Sequence, residues 1–195
     1  MPFLTRDSVA LITASSAGLG AATARALAAS GARVVINYHS SREKADALLK
    51  ELSLLDPRPK VDGNEKTTAE QSPRFIAIQA DVSSRTELIR LVEESAVTMG
   101  RLDVVVSNQG WTKMRDFYNL DDNMDESDWD KCFIMNVKSH LFLFHASRKY
   151  LEATGGAFIT TASLAGVVPS GSSLVGTQFH FPLFNISLGN RMLRI

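Results

Sequence analysis

The chain has 195 residues, no formal net charge, and a composition that is 45% hydrophobic and 22% charged. That balance describes one ordinary globular domain with its own core and excludes a disordered or low-complexity chain. Without a basic surplus nothing points to a nucleic-acid partner, and a single cysteine, Cys132, excludes an internal disulfide and a cysteine-only metal site.

The first residues, MPFLTRDSVALIT, place Arg6 and Asp7 ahead of any apolar run that could serve as a signal peptide. The longest apolar stretches, such as Leu141 to Phe144, are far too short to cross a bilayer. The expectation is a cytoplasmic protein with no membrane partner and no metal, in which Cys132 is a small core or helix residue.

Short β-branched runs then alternate with helical patterns. Val9 to Thr13 reads as a strand, and Ala21 to Ser30 as an alanine-rich helix closed by Gly31 in a left-handed cap. Arg33 to Tyr38 is a second strand. Ser40 and Glu43 form a capping-box pattern ahead of a helix with Leu48, Leu49, Leu52 and Leu55 on one face. Residues 56–74 are polar and rich in breakers, and read as a surface insertion loop.

Phe75 to Gln79 is a third strand. Ser84 and Glu87 make a second capping box, for a helix that carries Leu88, Leu91, Val92 and Ala96 and ends at Gly100. Leu102 to Val106 and Ala157 to Thr161 are the fourth and fifth strands. A long helix between them starts near Ser127 or Asp128, and its helical repeat of Trp129, Phe133, Val137, Leu141 and Phe144 predicts the face that packs on the sheet. Strand–helix alternation with short connections implies a doubly wound parallel sheet, a Rossmann-type α/β fold. Residues 1–174 make up this domain, with 175–195 as a divergent tail.

The segment LITASSAGLGAATARALAASGARVVINY carries the most information. A strand runs into a turn with Gly18 and Gly20, and the turn opens directly into a helix. That arrangement gathers free backbone N–H groups and the positive end of a helix dipole at one point, which suits a pyrophosphate. Thr13, Ser15 and Ser16 add hydroxyls around the turn, and any βα connection can also use glycine for geometry alone. At the end of the second strand, where a carboxylate would bind an NAD ribose, the chain has Asn37 and Tyr38, followed by Ser40 and Arg42. Neutral donors beside a cation suit the 2′-phosphate of NADP, although Ser40 as a helix cap and Arg42 as a solvated first-turn residue is the plainer alternative.

TASSAGLG resembles the TGxxxGxG turn of the short-chain dehydrogenase/reductase family, with Ala14 in place of the first glycine. The resemblance implies binding of NADP, with NAD possible, and places Leu19 with Gly18 and Gly20 against the cofactor. It extends to Asp81 and Val82, which match the family's short acidic motif after the third strand, where the aspartate contacts the adenine ring; capping the following helix is the plainer role, and the two are compatible. Ser107, Asn108, Gln109 and Gly110 resemble an NNAG motif with two of four positions kept, which assigns Asn108 and Gly110 to the cofactor. The continuation WTKMRDF is similar to fungal members.

Two further positions match the family's catalytic machinery. Asn136 stands where the family keeps an asparagine that kinks a helix and holds a water in a proton relay; an asparagine satisfied by backbone is the alternative. Ser163 stands where a serine polarises the substrate carbonyl. The family's YxxxK pair then normally begins thirteen residues later, and those positions hold Gly176 and His180. The match stops after Leu174, so the resemblance implies a truncated chain lacking its proton-transfer pair.

Hydride transfer between NADP(H) and a small carbonyl or alcohol substrate is therefore the expectation for the family pattern, with this chain catalytically impaired. The alternatives are a non-catalytic dinucleotide-binding module or a poorly folded truncated product. A homo-oligomer is the expectation for a full-length form.

Overall fold

A computed structural model describes residues 4–55, 73–164 and 173–174, together with the backbone of 187–188 and 191–192. Five parallel strands, β1 (Val9–Ile12), β2 (Arg33–Tyr38), β3 (Phe75–Gln79), β4 (Val104–Ser107) and β5 (Ala157–Thr160), form one sheet in the order β3-β2-β1-β4-β5. Between them run α1 (Gly18–Ala29), α2 (Arg42–Leu55), α3 (Arg85–Met99), α4 (Glu126–Phe133) and α5 (Ser139–Thr154). Ser187–Leu188 and Arg191–Met192 pair as a short antiparallel ladder.

The fold follows from strands that are apolar on both faces. Val9 and Leu11 join a core with α3 and α5, through Leu88, Leu91, Leu143 and Leu151. Ala10 and Ile12 point the other way, into a core with Ala21, Ala24 and Ala28 of α1 and Leu48 and Leu52 of α2. A strand buried on both faces requires helices on both, as right-handed crossovers supply. The chain winds outward from β1 to β3 and then restarts at β4, so the carboxyl ends of β1 and β4 flank a switch point, where such sheets open a crevice.

Local signals set most of the boundaries. Gly31 and Gly100 take φ values of +95° and +77° behind α1 and α3, as left-handed caps. The Ser84 hydroxyl accepts from the Glu87 N–H at 3.4 Å, but the Glu87 carboxylate reaches back to the Asp81 N–H (2.7 Å), so the reciprocal box closes one turn further upstream. α2 begins at Arg42, which makes Ser41 rather than Ser40 its preceding residue; the Ala45 N–H donates to the Ser41 carbonyl at 3.1 Å. β4 begins two residues later than expected. Asp103 is occupied before it by the Val9 N–H and a bidentate pair with Arg101.

Further expectations are corrected. Residues 73–74 belong to the sheet margin: Arg74 is buried, donates to the Gly31 carbonyl, and its own carbonyl accepts from Val34 N–H. The rest of the expected insertion, 56–72, lies outside the described residues. The expected helix face is also only partly right, because Phe133 and Leu141 stand 39% and 41% exposed. Between α4 and α5 the chain makes a π-helical turn, Ile134–Lys138, which admits an extra residue and breaks the i+4 count. The inward face runs instead through Cys132, Val137, His140, Leu143, Ser147 and Leu151. α4 starts at Glu126, one residue ahead of the expected range, with Asp125 capping it through the Ser127 N–H.

Candidate functional site

The turn after β1 has the geometry that its glycines require. Gly18 has φ +56° with open space around the position of a Cβ, so conformation alone selects glycine there. A Cβ on Gly20 would meet Asn108 Nδ2 at 2.6 Å and the Ala14 carbonyl at 2.8 Å, so contact selects glycine there. Ala14 itself takes φ +49°, a left-handed conformation held by a residue with a side chain. No side chain caps α1 and its first turn contains no acidic residue, whereas α3 and α4 have acidic residues there and capping side chains. The α1 N–H groups are thus left for an anion.

A cavity of about 840 Å³ opens beside this turn. One wall is built by Ser16 and Ala17, by Asn37 to Ser41, and by Asp81 and Val82. The opposite wall is Gly110, Trp111, Lys131, Ile134 and Met135. The expected cofactor residues Ser16, Asn37, Tyr38, Ser40, Asp81, Val82 and Gly110 therefore share one space.

Several others brace it instead of lining it. Thr13 is buried; its hydroxyl accepts from the Asn108 N–H at 2.9 Å and contacts Gln109 Oε1. The Ser15 hydroxyl donates to the Ile12 carbonyl at 2.7 Å and accepts from the Asn37 N–H. Asn108 Nδ2 donates to the Thr13 and Ala14 carbonyls, which ties the end of β4 to the glycine turn. Asn37 touches the cavity, but its side chain is committed: Oδ1 accepts from Ala14 N–H, and Nδ2 donates to the Ala80 carbonyl at 3.1 Å. Arg42 is 78% exposed, pairs with Asp46 and does not line the cavity; Leu19 is 61% exposed and also lies outside the lining.

Asp81 sits at the cavity with its Oδ1 accepting from the Ser83 N–H and hydroxyl (2.9 and 2.7 Å). Partial burial works to raise its pKa, but these hydrogen bonds and the nearby His39 outweigh it and hold the carboxylate below its ordinary value.

Asn136 falls within the π turn, half-buried. Its Oδ1 accepts from the Trp111 N–H at 2.7 Å and its Nδ2 donates to the Trp111 carbonyl at 2.8 Å. Both ends of the amide are thus satisfied by backbone. Cys132 Sγ approaches the same carbonyl and receives a contact from Asn136 Nδ2 at 3.0 Å. Burial pushes the Cys132 thiol up to about 11, with the Asp128 charge adding to this and the Asn136 hydrogen bond opposing it. Ser163 stands three residues past β5, half-buried. Gly176 and His180 lie outside the described residues.

Sequence reading missed the opposite wall. Trp111 reads only as the continuation of a motif, and Lys131 and Met135, one helical turn apart, lie off the periodic apolar positions that the sequence marks. The loop leading from Trp111 to α4 is fixed by charge. Arg115 Nη2 lies 2.6 Å from Asp128 and 2.9 Å from Asp125, and Lys113 Nζ lies 3.2 Å from Asp128. Gln109, at the motif's alanine position, donates to Ser107 Oγ and Ser139 Oγ (3.0 and 2.8 Å), and Ser107 Oγ lies 2.8 Å from His140 Nδ1. This buried polar chain pins β4 to α5.

A family profile described as short chain dehydrogenase matches residues 8–175. The chain is 33% identical over 165 residues to a short-chain dehydrogenase/reductase of Pestalotiopsis microspora, covering 85% of this chain and 55% of the relative. It is 31% identical over 157 residues to a hydroxynaphthalene reductase-like protein of Metarhizium guizhouense, covering 80% and 51%. The chain thus spans about half the length of these curated relatives. Among solved structures, NAD+-bound xylitol dehydrogenase superposes with a TM-score of 0.74 at 19% identity, over 89% of this chain and 60% of that one, a likeness of fold. Among the described residues no group of three or more histidine, cysteine, aspartate or glutamate side chains could hold a metal ion, and no helix is long and apolar enough to cross a membrane.

Proposed function

The chain belongs to the short-chain dehydrogenase/reductase family, an oxidoreductase family built on binding of NAD(P), and from that premise we propose that its cavity takes NADP(H) for hydride exchange with a carbonyl or alcohol carbon. The observation that carries the reading is the turn at Ala14 to Gly20: left-handed at Gly18, without room for a side chain at Gly20, and opening on an uncapped helix beside the cavity. A pyrophosphate there receives backbone hydrogen bonds and the helix dipole together.

The phosphorylated form of the cofactor is favoured by the end of β2. The cavity wall from Asn37 to Ser41 contains no carboxylate, so nothing there repels a 2′-phosphate or holds the ribose hydroxyls of NAD. Tyr38, Ser40, Asp81 and Val82 are the adenosine-side contacts in this reading, with Gly110 passing the cofactor on the β4 side. Thr13, Ser15, Asn37 and Asn108 act through the turn they hold.

In the same reading Ser163 polarises the substrate carbonyl. Asn136 sets the loop that carries Trp111. When bound, the nicotinamide ring supplies or accepts the hydride. The proton that accompanies it needs an acid/base pair, and Gly176 and His180 at the family's positions offer neither a phenol nor an ammonium. Turnover by these residues is therefore expected near background. The relative named for hydroxynaphthalene suggests a hydroxylated aromatic carbonyl as the substrate class. A cytoplasmic location and homo-oligomerisation of a longer form belong to the same proposal, with residues 1–174 as the dinucleotide domain and 175–195 as a divergent tail.

The test is a pair of measurements on the full chain. Titration with NADPH and NADH, followed by tryptophan fluorescence, should show saturable binding with NADPH tighter. NADPH oxidation with a panel of aromatic and aliphatic ketones should stay at background. Binding without turnover supports a non-catalytic dinucleotide module; rapid turnover would remove the impairment from the reading, and no binding would remove the cofactor.

A further inference from the structure

A cavity that holds a phosphorylated ligand gains from positive charge beyond the helix dipole, and the position where the sequence offers it does not provide it. Arg42, the cation that follows β2 in the sequence, lies outside the cavity beside Asp46. Among the described lining residues the carboxylates are Asp81 and Asp130, and Lys131 is the one lysine or arginine. Asp81 is engaged by Ser83, as described above.

Lys131 is also placed. Its Nζ lies 4.8 Å from the centroid of the Trp111 ring, and the Trp111 peptide is held at both ends by Asn136. An ammonium held over an aromatic face is positioned by the ring and has N–H donors left for a further partner. The lysine stem lies one helical turn before Met135, which lines the same cavity from the same side.

We propose that Lys131 is a phosphate-contacting residue of the dinucleotide site, presented from α4 across the cavity from the amino end of α1. The inference rests on the dinucleotide reading of the cavity. The cavity then offers the phosphates of the ligand a cation from α4 in addition to the free N–H groups of α1. The neighbouring Asp130 opposes it, so the two residues have contributions of opposite sign. Two phosphates of the ligand share this chemistry, the pyrophosphate and the 2′-phosphate of the adenosine ribose.

The experiment measures dissociation constants of NADPH, NADH and 2′,5′-ADP by calorimetry on the full chain and on three variants. K131Q should weaken NADPH binding about tenfold, the loss of one charge-assisted hydrogen bond. K131R should stay within about threefold of the parent, because it keeps the charge. D130N should tighten binding, and raising the salt concentration should shrink both effects. A loss shared by NADPH and NADH assigns the contact to the pyrophosphate, and a loss confined to NADPH and 2′,5′-ADP assigns it to the 2′-phosphate. Unchanged affinities in K131Q, with the parent binding normally, overturn the role of Lys131 and leave the dinucleotide reading standing. A parent chain that binds none of the three ligands overturns both. Lys131 is exposed, so the urea midpoint of K131Q should match that of the parent and rule out misfolding as the cause.

Discussion

The side-chain amide of Asn136 forms a two-bond ring with the backbone N–H and carbonyl of Trp111, accepting at 2.7 Å and donating at 2.8 Å. An amide that pairs with both backbone polar groups of one residue fixes position and orientation together, as two strands do in a ladder. N136A should cost about 1–3 kcal/mol, because it leaves a half-buried N–H and carbonyl with their partner gone. In a W129F background, where Trp111 is the remaining tryptophan, its emission should also shift to the red. Unchanged emission would show that the loop holds Trp111 without the clamp.

The two glycines of the turn should fail differently. G18A meets open space and loses only the left-handed preference, roughly 1–2 kcal/mol. G20A drives a methyl into the Ala14 carbonyl and the Ser15 Cα, both backbone, at 2.8 Å. It should cost at least about 1–3 kcal/mol, the range of an overpacked core, and separate α1 from β4. Urea midpoints of the two variants, measured side by side, decide between conformational and contact selection; equal losses would contradict the geometry.

Ala14 offers the reverse change. With φ +49° it carries left-handed strain that glycine would not, so A14G should raise stability. The greater freedom of glycine in the unfolded chain offsets part of this gain, leaving about 1 kcal/mol or less. A thermal midpoint that falls in A14G would mean that the methyl makes a contact worth more than the strain.

Asp128 gives the loop before α4 its pH dependence. Burial works to raise its pKa, but the hydrogen bonds from Arg115 and Lys113 and their charges outweigh that and hold it below the ordinary carboxylate value. A depressed folded value means stability that is fully present above the unfolded pKa, about 3.9, and lost as pH falls through the folded one. The gap in urea midpoint between the parent and D128N should therefore be widest near neutral pH and close towards pH 3. A gap independent of pH would show that the ion pairs contribute nothing beyond packing.

Cys132 should be inert. With its thiol pushed up to about 11, the thiolate at pH 8 is at least about a hundredfold scarcer than in an unfolded chain. Labelling by a disulfide reagent should be slower than in urea by that factor or more. The raised value also works in the opposite direction to Asp128: its stabilising effect is intact below about pH 8.5 and fades as pH climbs towards 11. Fast native labelling would mean that α4 opens readily.

Much of the fold was legible because its signals are local. β2 and β3 have the bounds that their apolar runs suggest, and Gly31 and Gly100 end helices through a backbone conformation that other residues resist. Less of the site was legible. Asn37 reads as a ligand donor from its place at a strand end, yet long-range bonds to Ala14 and Ala80 take its side chain. Arg42 reads as a nearby cation, but the direction of the first turn of α2 takes it to Asp46. The Trp111–Lys131 wall joins residues twenty positions apart through a loop of charges, and no periodicity announces that.

The π turn at Ile134–Lys138 also acts as an expansion joint. Because the winding slips there, a substitution that overwinds or underwinds α4 need not rotate α5 with it. Deleting one residue within the turn would restore a single continuous α-helix and leave Leu143 and Leu151 on the face they now occupy, because one residue is what the wider turn absorbs. A library that varies the cavity wall in α4 can therefore be built without redesigning the core beneath α5.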